Sequence, residues 1–228
     1  MPARQPVTDH DETLALVLPT RREPDAPPEG PQELPPGAER VTPVTLEVLV
    51  RREPLVGRAQ SARQTITRSA ERVHIASSDG SEWLFERNVR DPRRVFGSLV
   101  NHASRAVVVY DESDLRTALG LQGWASVLTM GFDPESLTGL RRSGESRTLG
   151  RITFSQYVSD REDASTREVW WSDDQIFPSE FVAADATGTT RFSVESVRLG
   201  ADEALLQAPA SRFPAYRVFE LADWLEAH

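Results

Sequence analysis

Apolar and polar residues alternate along the chain from Val44 onward, which is the pattern of strands that bury one face. The segments between these stretches are short and rich in Asp, Asn, Ser and Gly, the residues that favour tight turns. Short links require antiparallel neighbours, because a parallel crossover needs a dozen or more residues. The pattern therefore predicts a mainly β chain, folded as an antiparallel meander. The predicted strands cover residues 44–50, 64–68, 71–76, 82–87, 95–100, 105–111, 151–159, 167–171, 179–184 and 190–198.

Helical spacing replaces this alternation in two places. A segment that begins with Ser113 as its capping residue repeats apolar side chains at near-helical intervals. Gly120 and Gly123 are expected to split that segment into two helices. A second, short helix is expected over residues 219–227, with Trp224 and Leu225 on one face. The fold class is thus α+β with few helices.

The first 43 residues differ in composition from the rest of the chain. They contain ten of the 16 prolines and few large apolar side chains, so they are expected to form an extended arm that acts as a spacer. The sequence therefore predicts an arm over residues 1–43 and a single domain over residues 44–228. The apolar patch at residues 14–18 is shorter than a signal-peptide core, and no run of about 20 apolar residues predicts a membrane span.

Composition excludes several kinds of chemistry. The 228 residues include 26 basic and 35 acidic side chains, for a net charge of −9; every basic residue is Arg, and there is no Cys. Without Lys or Cys, the chain has no Schiff-base lysine, no phosphate-loop lysine, no thiolate nucleophile and no thiolate metal site. The acidic balance also argues against electrostatic binding of nucleic acid.

The residues that remain do not form a recognisable catalytic spacing. Of the four histidines, His74 reads as a solvated or hydrogen-bonded strand residue and His102 as part of a tight turn. The acidic run at residues 111–114 is best explained as the start of a helix. We therefore predict no enzyme activity, no cofactor and no metal site. A hydrolase that uses Asp and Glu is a third function class, which two carboxylates converging in a deep pocket would indicate.

Apolar side chains recur on one face of several predicted strands. In a closed sandwich they form the core, whereas on an open, curved sheet they line a groove for an acyl chain with the helical segment as a lid. Both arrangements stay open at this stage. The residues predicted to line such a groove are Trp83, Phe85, Val107, Val109, Ile152 and Phe154 from the strands, with Leu119 and Trp124 from the lid.

Trp170 and Trp171 are adjacent in a predicted strand, so their indoles lie on opposite faces of the sheet. At least one of them is therefore exposed or covered by another element. An exposed indole is a typical anchor for a protein partner. We predict a partner-binding role for Trp170 and Trp171.

Three phrases of the sequence occur in a familiar order: the strand GSEWLFERN, the stretch EVWWSDDQIFPSEFVAAD, and a closing QAPASRFPAYRV. In these phrases the chain resembles the LolA-like superfamily of bacterial lipoprotein carriers and lipoprotein-sorting proteins. The resemblance covers about residues 44–218 and rests on the order of elements and these short phrases. It implies a curved antiparallel half-barrel whose concave face binds lipid or acyl chains under helices, or, in sensor relatives, binds another envelope protein.

The resemblance and the residues together predict a non-enzymatic binding module of the bacterial envelope or secreted space. Its ligand would be a lipid or another apolar molecule held in the concave face of the sheet. The alternative is an interaction or sensor module with a filled core and an exposed aromatic anchor, which would bind an envelope protein. The expected location is the periplasm or outside the cell, with the cytoplasm as the alternative.

Overall fold

The computed structural model describes residues 33–161 and 164–227. Within this part of the chain, twelve strands form one sheet in the order β12-β6-β5-β4-β3-β2-β1-β11-β10-β9-β8-β7. The strands are β1 Val44–Pro54, β2 Gln60–Arg68, β3 Arg72–Ser77, β4 Glu82–Arg87, β5 Val95–Asn101, β6 Ala106–Tyr110, β7 Arg141–Leu149, β8 Ile152–Val158, β9 Thr166–Ser172, β10 Phe177–Asp185, β11 Gly188–Leu199 and β12 Arg217–Glu220. The α-helices are α1 Glu112–Leu119, α2 Trp124–Leu128, α3 Pro209–Arg212 and α4 Leu221–Ala227.

The sheet consists of two meanders joined side by side. Strands β1 to β6 form the first, β7 to β11 form the second, and the long strands β1 and β11 pair antiparallel along their whole length. The predicted fold class, a mainly β, curved antiparallel sheet with few helices, is confirmed. The exception to antiparallel pairing is β12, which lies parallel to β6.

Two strands of the structure were not predicted. β7 has the sequence RRSGESRTL, in which no apolar alternation can be read, because it is an edge strand with no buried residue. β12 takes residues 217–220, so the last helix begins at Leu221 rather than at residue 219. Both strands are held by backbone pairing with a neighbour, which leaves little trace in the pattern of side chains.

The first meander has an inner and an outer face that can be followed across the strands. Leu46, Ile66, Ile75, Trp83 and Val108 follow one register line on the inner face. All five belong to the hydrophobic core. The core therefore lies on the inner face, where α1, α2 and the turn at residues 129–132 cover the sheet.

Local chemistry sets the bounds of α1 and α2. The N-cap of α1 is Asp111, whose carboxylate accepts from the N–H of Asp114 while the side chain of Asp114 accepts from the N–H of Asp111. This reciprocal capping box moves the helix start ahead of the predicted cap at Ser113. Gly120 ends α1 in the left-handed conformation and Gly123 precedes α2, so the predicted split is confirmed.

The outer face of the first meander is crossed by residues 200–216, here called the strap. The strap starts at the end of β11, where the Thr45 hydroxyl donates to the carbonyl of Gly200. It continues over β3, where Arg72 donates to the carbonyl of Leu206, and ends at β12 beside β6. Leu206 of the strap is itself buried.

Only residues 33–43 of the predicted arm are described. Ala38 and Val41 are buried in the core, and Leu34 packs against it. This part of the chain therefore packs on the sheet. Residues 1–32, which include most of the predicted arm and the apolar patch at 14–18, and His228 lie outside the described residues.

Candidate functional site

The hydrophobic core holds most of the residues predicted to line an apolar groove. Trp83, Phe85, Trp124, Ile152 and Phe154 all belong to the core and are at most 6% exposed. The rings of Trp83 and Phe85 stack with their centroids 5.5 Å apart, and Phe154 meets Phe177 edge-on at the same distance. These side chains are packed against the protein itself, so the inner face is filled.

Val107 and Val109 lie on the opposite face from Trp83 and Phe85. Val108, between them, pairs with Leu99, and Leu99 pairs with Trp83, so Val108 is the residue that shares a face with Trp83. The prediction that placed Val107 and Val109 in the same groove is therefore wrong in its choice of face. The stretch AVVVY is apolar at every position, so the sequence does not show which of its side chains face inward.

The residues predicted to form a lid pack against the core. Trp124 is fully buried and Leu119 is half-buried against the core. Leu115 of α1 sits directly on β5, since a Cβ on Gly97 would come within 2.7 Å of a methyl carbon of Leu115. The lid is therefore closed on the sheet.

Arg68 is a charged residue at the centre of this closed face. It is fully buried, and its guanidinium donates to the carbonyls of Leu128, at the end of α2, and Gln175, at 2.9 and 2.7 Å. The guanidinium also lies 4.7 Å over the ring of Phe177. It forms no ion pair within the described part of the chain, and its Nε has no hydrogen-bond partner there. Burial lowers the pKa of Arg68 to about 9.

Trp170 and Trp171 differ in burial, as expected for adjacent residues whose side chains lie on opposite faces of a strand. Trp171 is 4% exposed and packs on Phe132 of the lid turn, with ring centroids 5.6 Å apart. An indole in the core cannot anchor a partner, so the prediction for Trp171 does not agree with its position. Trp170 is half-buried and keeps part of its indole accessible.

Trp170 forms a small platform with charged neighbours from three strands. The guanidinium of Arg147, on β7, lies 4.4 Å over its ring and pairs with Glu180 of β10 at 2.9 Å. The indole N–H donates to Glu168 at 2.9 Å, and Gln156 donates to the same carboxylate at 2.8 Å. These contacts fix the indole beside β7, the strand at the end of the sheet order.

A second polar cluster, on the outer face, holds the strap to the sheet. The carboxylate of Glu82 lies 3.0 Å from Nε2 of His74, 3.0 Å from Nε2 of His102 and 2.8 Å from Arg212. His102 reaches the hydroxyl of Tyr216 through Nδ1 at 3.0 Å. The hydrogen bond from His74, with that from His102 and the charge of Arg212, outweighs burial and lowers the pKa of Glu82 to about 2.

Sequence reasoning missed this cluster because its members come from four distant segments. The prediction that His74 is a hydrogen-bonded strand residue is confirmed. His102 lies in its predicted turn and also hydrogen-bonds to Glu82. The sequence does contain one signal for the cluster. Glu82 and His74 lie on neighbouring strands, and both alternate with apolar residues, so both side chains are expected on the outer face. The strap residues Arg212 and Tyr216 carry no such signal.

The described residues offer other concavities but no metal centre. A cavity of about 460 Å³ lies at the start of α1, and its lining contains none of the predicted groove residues. Its lining residues are Arg94, Val95, Phe96, Asp111, Glu112, Ser113 and Arg116.

No group of three or more His, Cys, Asp or Glu side chains in the described ranges is placed to hold a metal ion. None of the described helices has the length and apolar character needed to cross a membrane.

Comparison with known proteins gives likenesses of structure only. No family model matches the chain, and no curated protein matches it. Among solved structures it is similar to MucB, at 16% identity and a TM-score of 0.45, over 76% of this chain and 59% of that one. It is also similar to the Pseudomonas aeruginosa MucA/MucB complex, at 19% identity and a TM-score of 0.41, over 76% of this chain and 58% of that one.

A LolA superfamily protein from Nitrosomonas europaea is similar too, at 8% identity and a TM-score of 0.38. That match covers 78% of this chain and 93% of the other. A protein of the superfamily that the sequence resembles is thus among the similar structures. The matched MucB chain is longer than this one, which spans 59% of its length.

Proposed function

We propose that the chain is a non-enzymatic interaction module that docks another protein through the surface around Trp170. The filled inner face is the observation that carries this proposal. Five of the predicted groove residues are at most 6% exposed, and they contact the protein's own helices and strands. An acyl chain would need the space that these side chains occupy, so the geometry favours the interaction module over the open carrier.

The Trp170 platform has the properties of a docking anchor. Trp and Arg are the residue types most enriched among those that dominate binding energy at interfaces. Arg147 and Glu168 hold the indole in one orientation before any partner arrives. Such preorganisation reduces the entropy lost on binding. Arg147 belongs to β7, which lies two strands from β9 at the end of the sheet order.

Affinity capture from extracts of the native host, with three forms of the chain, tests this proposal. The forms are the wild type, Trp170→Ala, and Trp224→Ala, in which the same change is made to a half-buried Trp at the opposite edge of the sheet. We expect recovery of a specific partner to fall about tenfold or more for Trp170→Ala and to stay unchanged for Trp224→Ala. Equal recovery by both variants would contradict the proposal.

A second candidate, a carrier for an apolar ligand that opens its lid, is favoured by one observation. The lid is held to the sheet through Arg68, a buried cation that no carboxylate neutralises in the described ranges. A buried charge without a counter-ion is costly, so this contact stabilises the closed lid less than apolar packing would. Opening would turn the core residues into the predicted groove.

A fluorescent fatty acid separates the two candidates. If the interaction module is right, neither the wild type nor Arg68→Met takes up the probe. If the carrier is right, the wild type binds it, and Arg68→Met, in which apolar packing replaces the buried cation that contacts the lid carbonyl of Leu128, binds it less readily. Uptake by the wild type would therefore replace the first proposal with the second.

An envelope or secreted location belongs to the same proposal. It rests on the resemblance of the sequence to envelope proteins and is tested by fractionating the native host. The spacer role of residues 1–43 likewise stays a prediction.

A further inference from the structure

The hairpin between β1 and β2 exposes two adjacent large apolar side chains. Leu55 is 75% exposed and Val56 is 92% exposed, at the tip that joins Pro54 to Gln60. Neither side chain contributes to the core. An exposed apolar pair at the end of a protruding turn is suited to burial in another surface.

The tip is held in place by the turn between β10 and β11. The N–H of Leu55 donates to the carbonyl of Thr187 at 3.0 Å, and Arg52 donates to the hydroxyl of Thr187 at 2.7 Å. Gly188 allows this approach, because a Cβ there would lie 2.7 Å from the Cα of Pro54. The two apolar side chains therefore project from a supported hairpin.

Arginines surround the tip although the whole protein is acidic. Arg51 and Arg58 lie in the hairpin, and Arg191 of β11 is the register partner of Arg51. Two like charges directly opposite each other on neighbouring strands destabilise a sheet. Neither Arg51 nor Arg191 forms an ion pair within the described residues, whereas Arg63, on the same outer face, pairs with Glu195 at 3.2 Å.

The charge near the tip has the opposite sign to that of the chain. Over residues 51–60 and 183–191, the ends of the two hairpins nearest the tip, four basic side chains (Arg51, Arg52, Arg58 and Arg191) stand against two acidic ones (Glu53 and Asp185), which is a local balance of +2. The net charge of the whole chain is −9. A cationic collar behind an apolar tip is complementary to the surface of a bilayer with anionic headgroups.

We propose that the β1–β2 hairpin is a membrane-docking tip that inserts Leu55 and Val56 at the surface of an anionic lipid bilayer. Arg58 lies in the tip, and Arg51 is four residues back, roughly 14 Å along the strand, within reach of headgroup phosphates when the tip enters the interface. This surface lies on different strands from the Trp170 platform, so the inference is independent of the proposed function.

Co-sedimentation with vesicles tests the docking tip. The probes are vesicles of phosphatidylcholine with phosphatidylglycerol and vesicles of phosphatidylcholine alone, each at low and high salt. We expect the full chain to sediment with the anionic vesicles at low salt, and far less at high salt or with the neutral vesicles. Failure to sediment with anionic vesicles would overturn the proposal, whatever protein partners the chain has.

Matched variants assign the binding to named residues. Leu55→Ser with Val56→Ser should reduce the bound fraction about tenfold, because it removes the apolar part. Val89→Ser is its control, since Val89 is 96% exposed in the β4–β5 turn at the opposite end of the strands. Arg51→Gln with Arg191→Gln should also weaken binding, more than Arg63→Gln does.

The folded state of each variant is checked by urea denaturation, and no large change is expected because the substituted side chains are exposed. Wild-type binding by the Leu55, Val56 double variant would contradict the proposed role of the tip. So would a loss of the same size in Val89→Ser.

Discussion

Gly97 shows how a single position controls the closed lid. It lies on the inner face of β5, where Leu115 of α1 and Phe85 of β4 pack directly above it. A Cβ at this position would come within 2.7 Å of one methyl carbon of Leu115 and 3.3 Å of the other. Leu115 is fully buried, so it can move aside only if the core around it repacks. The absence of a side chain at Gly97 is therefore a condition for α1 to lie on the sheet.

Gly97→Ala should lower the free energy of unfolding by about 1–3 kcal/mol, the usual cost of overpacking a filled core. Urea denaturation measures this change. Gly139→Ala is the matched control, because a Cβ at Gly139 meets nothing within 4 Å. Equal stability of the two variants would mean that α1 does not hold its place on β5.

The strap is the element whose attachment depends most on one side chain. Glu82 accepts hydrogen bonds from His74 and His102 on the sheet and from Arg212 on the strap, so its carboxylate links the strap to the sheet. Glu86, on the same strand and the same face, pairs with Arg72 at 2.9 Å and with no other residue of the described ranges, and it is more exposed. The two carboxylates allow a direct comparison between a clustered ion pair and an isolated one.

Glu82→Gln should destabilise the chain by about 2 kcal/mol, since hydrogen bonds to a charged group in a partly buried cluster are lost. Glu86→Gln should change stability by about 1 kcal/mol or less, as is usual for a surface pair. Urea denaturation gives both values, and hydrogen exchange over residues 200–216 localises the effect. If exchange in the strap is unchanged in Glu82→Gln, the cluster does not hold it.

The stability of the whole molecule should depend on pH through the same carboxylate. The pKa of Glu82 is lowered from 4.5 to about 2 in the folded state, so its stabilising effect is complete above about pH 4.5. That effect is lost as the pH falls from 4.5 towards 2, because protonation then costs the folded state more than the unfolded state. The groups that face it are His74, His102 and Arg212.

The difference in unfolding free energy between the wild type and Glu82→Gln should therefore shrink as the pH falls through this range. Denaturant titrations at a series of pH values measure it, and the comparison cancels the contributions of the other carboxylates. A difference that stays constant between pH 4.5 and about 2 would contradict the assigned pKa shift.

Part of this architecture could be read from the alternation of side chains. The predicted bounds of strands with a clear alternation, such as β3 and β4, are close to the observed ones, and Gly120 and Gly123 mark the break between α1 and α2. The edge strands β7 and β12 could not be found this way. Their residues are held by backbone pairing, and their exposed side chains carry no pattern.

The sequence by itself determined that this chain would form an antiparallel sheet with apolar inner residues and a helical cover, because alternation and turn residues are local properties. Only the tertiary structure decided which face each residue of the AVVVY run occupies and which of Trp170 and Trp171 stays accessible. It also decided that the inner face is filled and that Glu82 meets His74, His102 and Arg212. Those outcomes depend on register and on contacts between distant segments, which local periodicity does not encode.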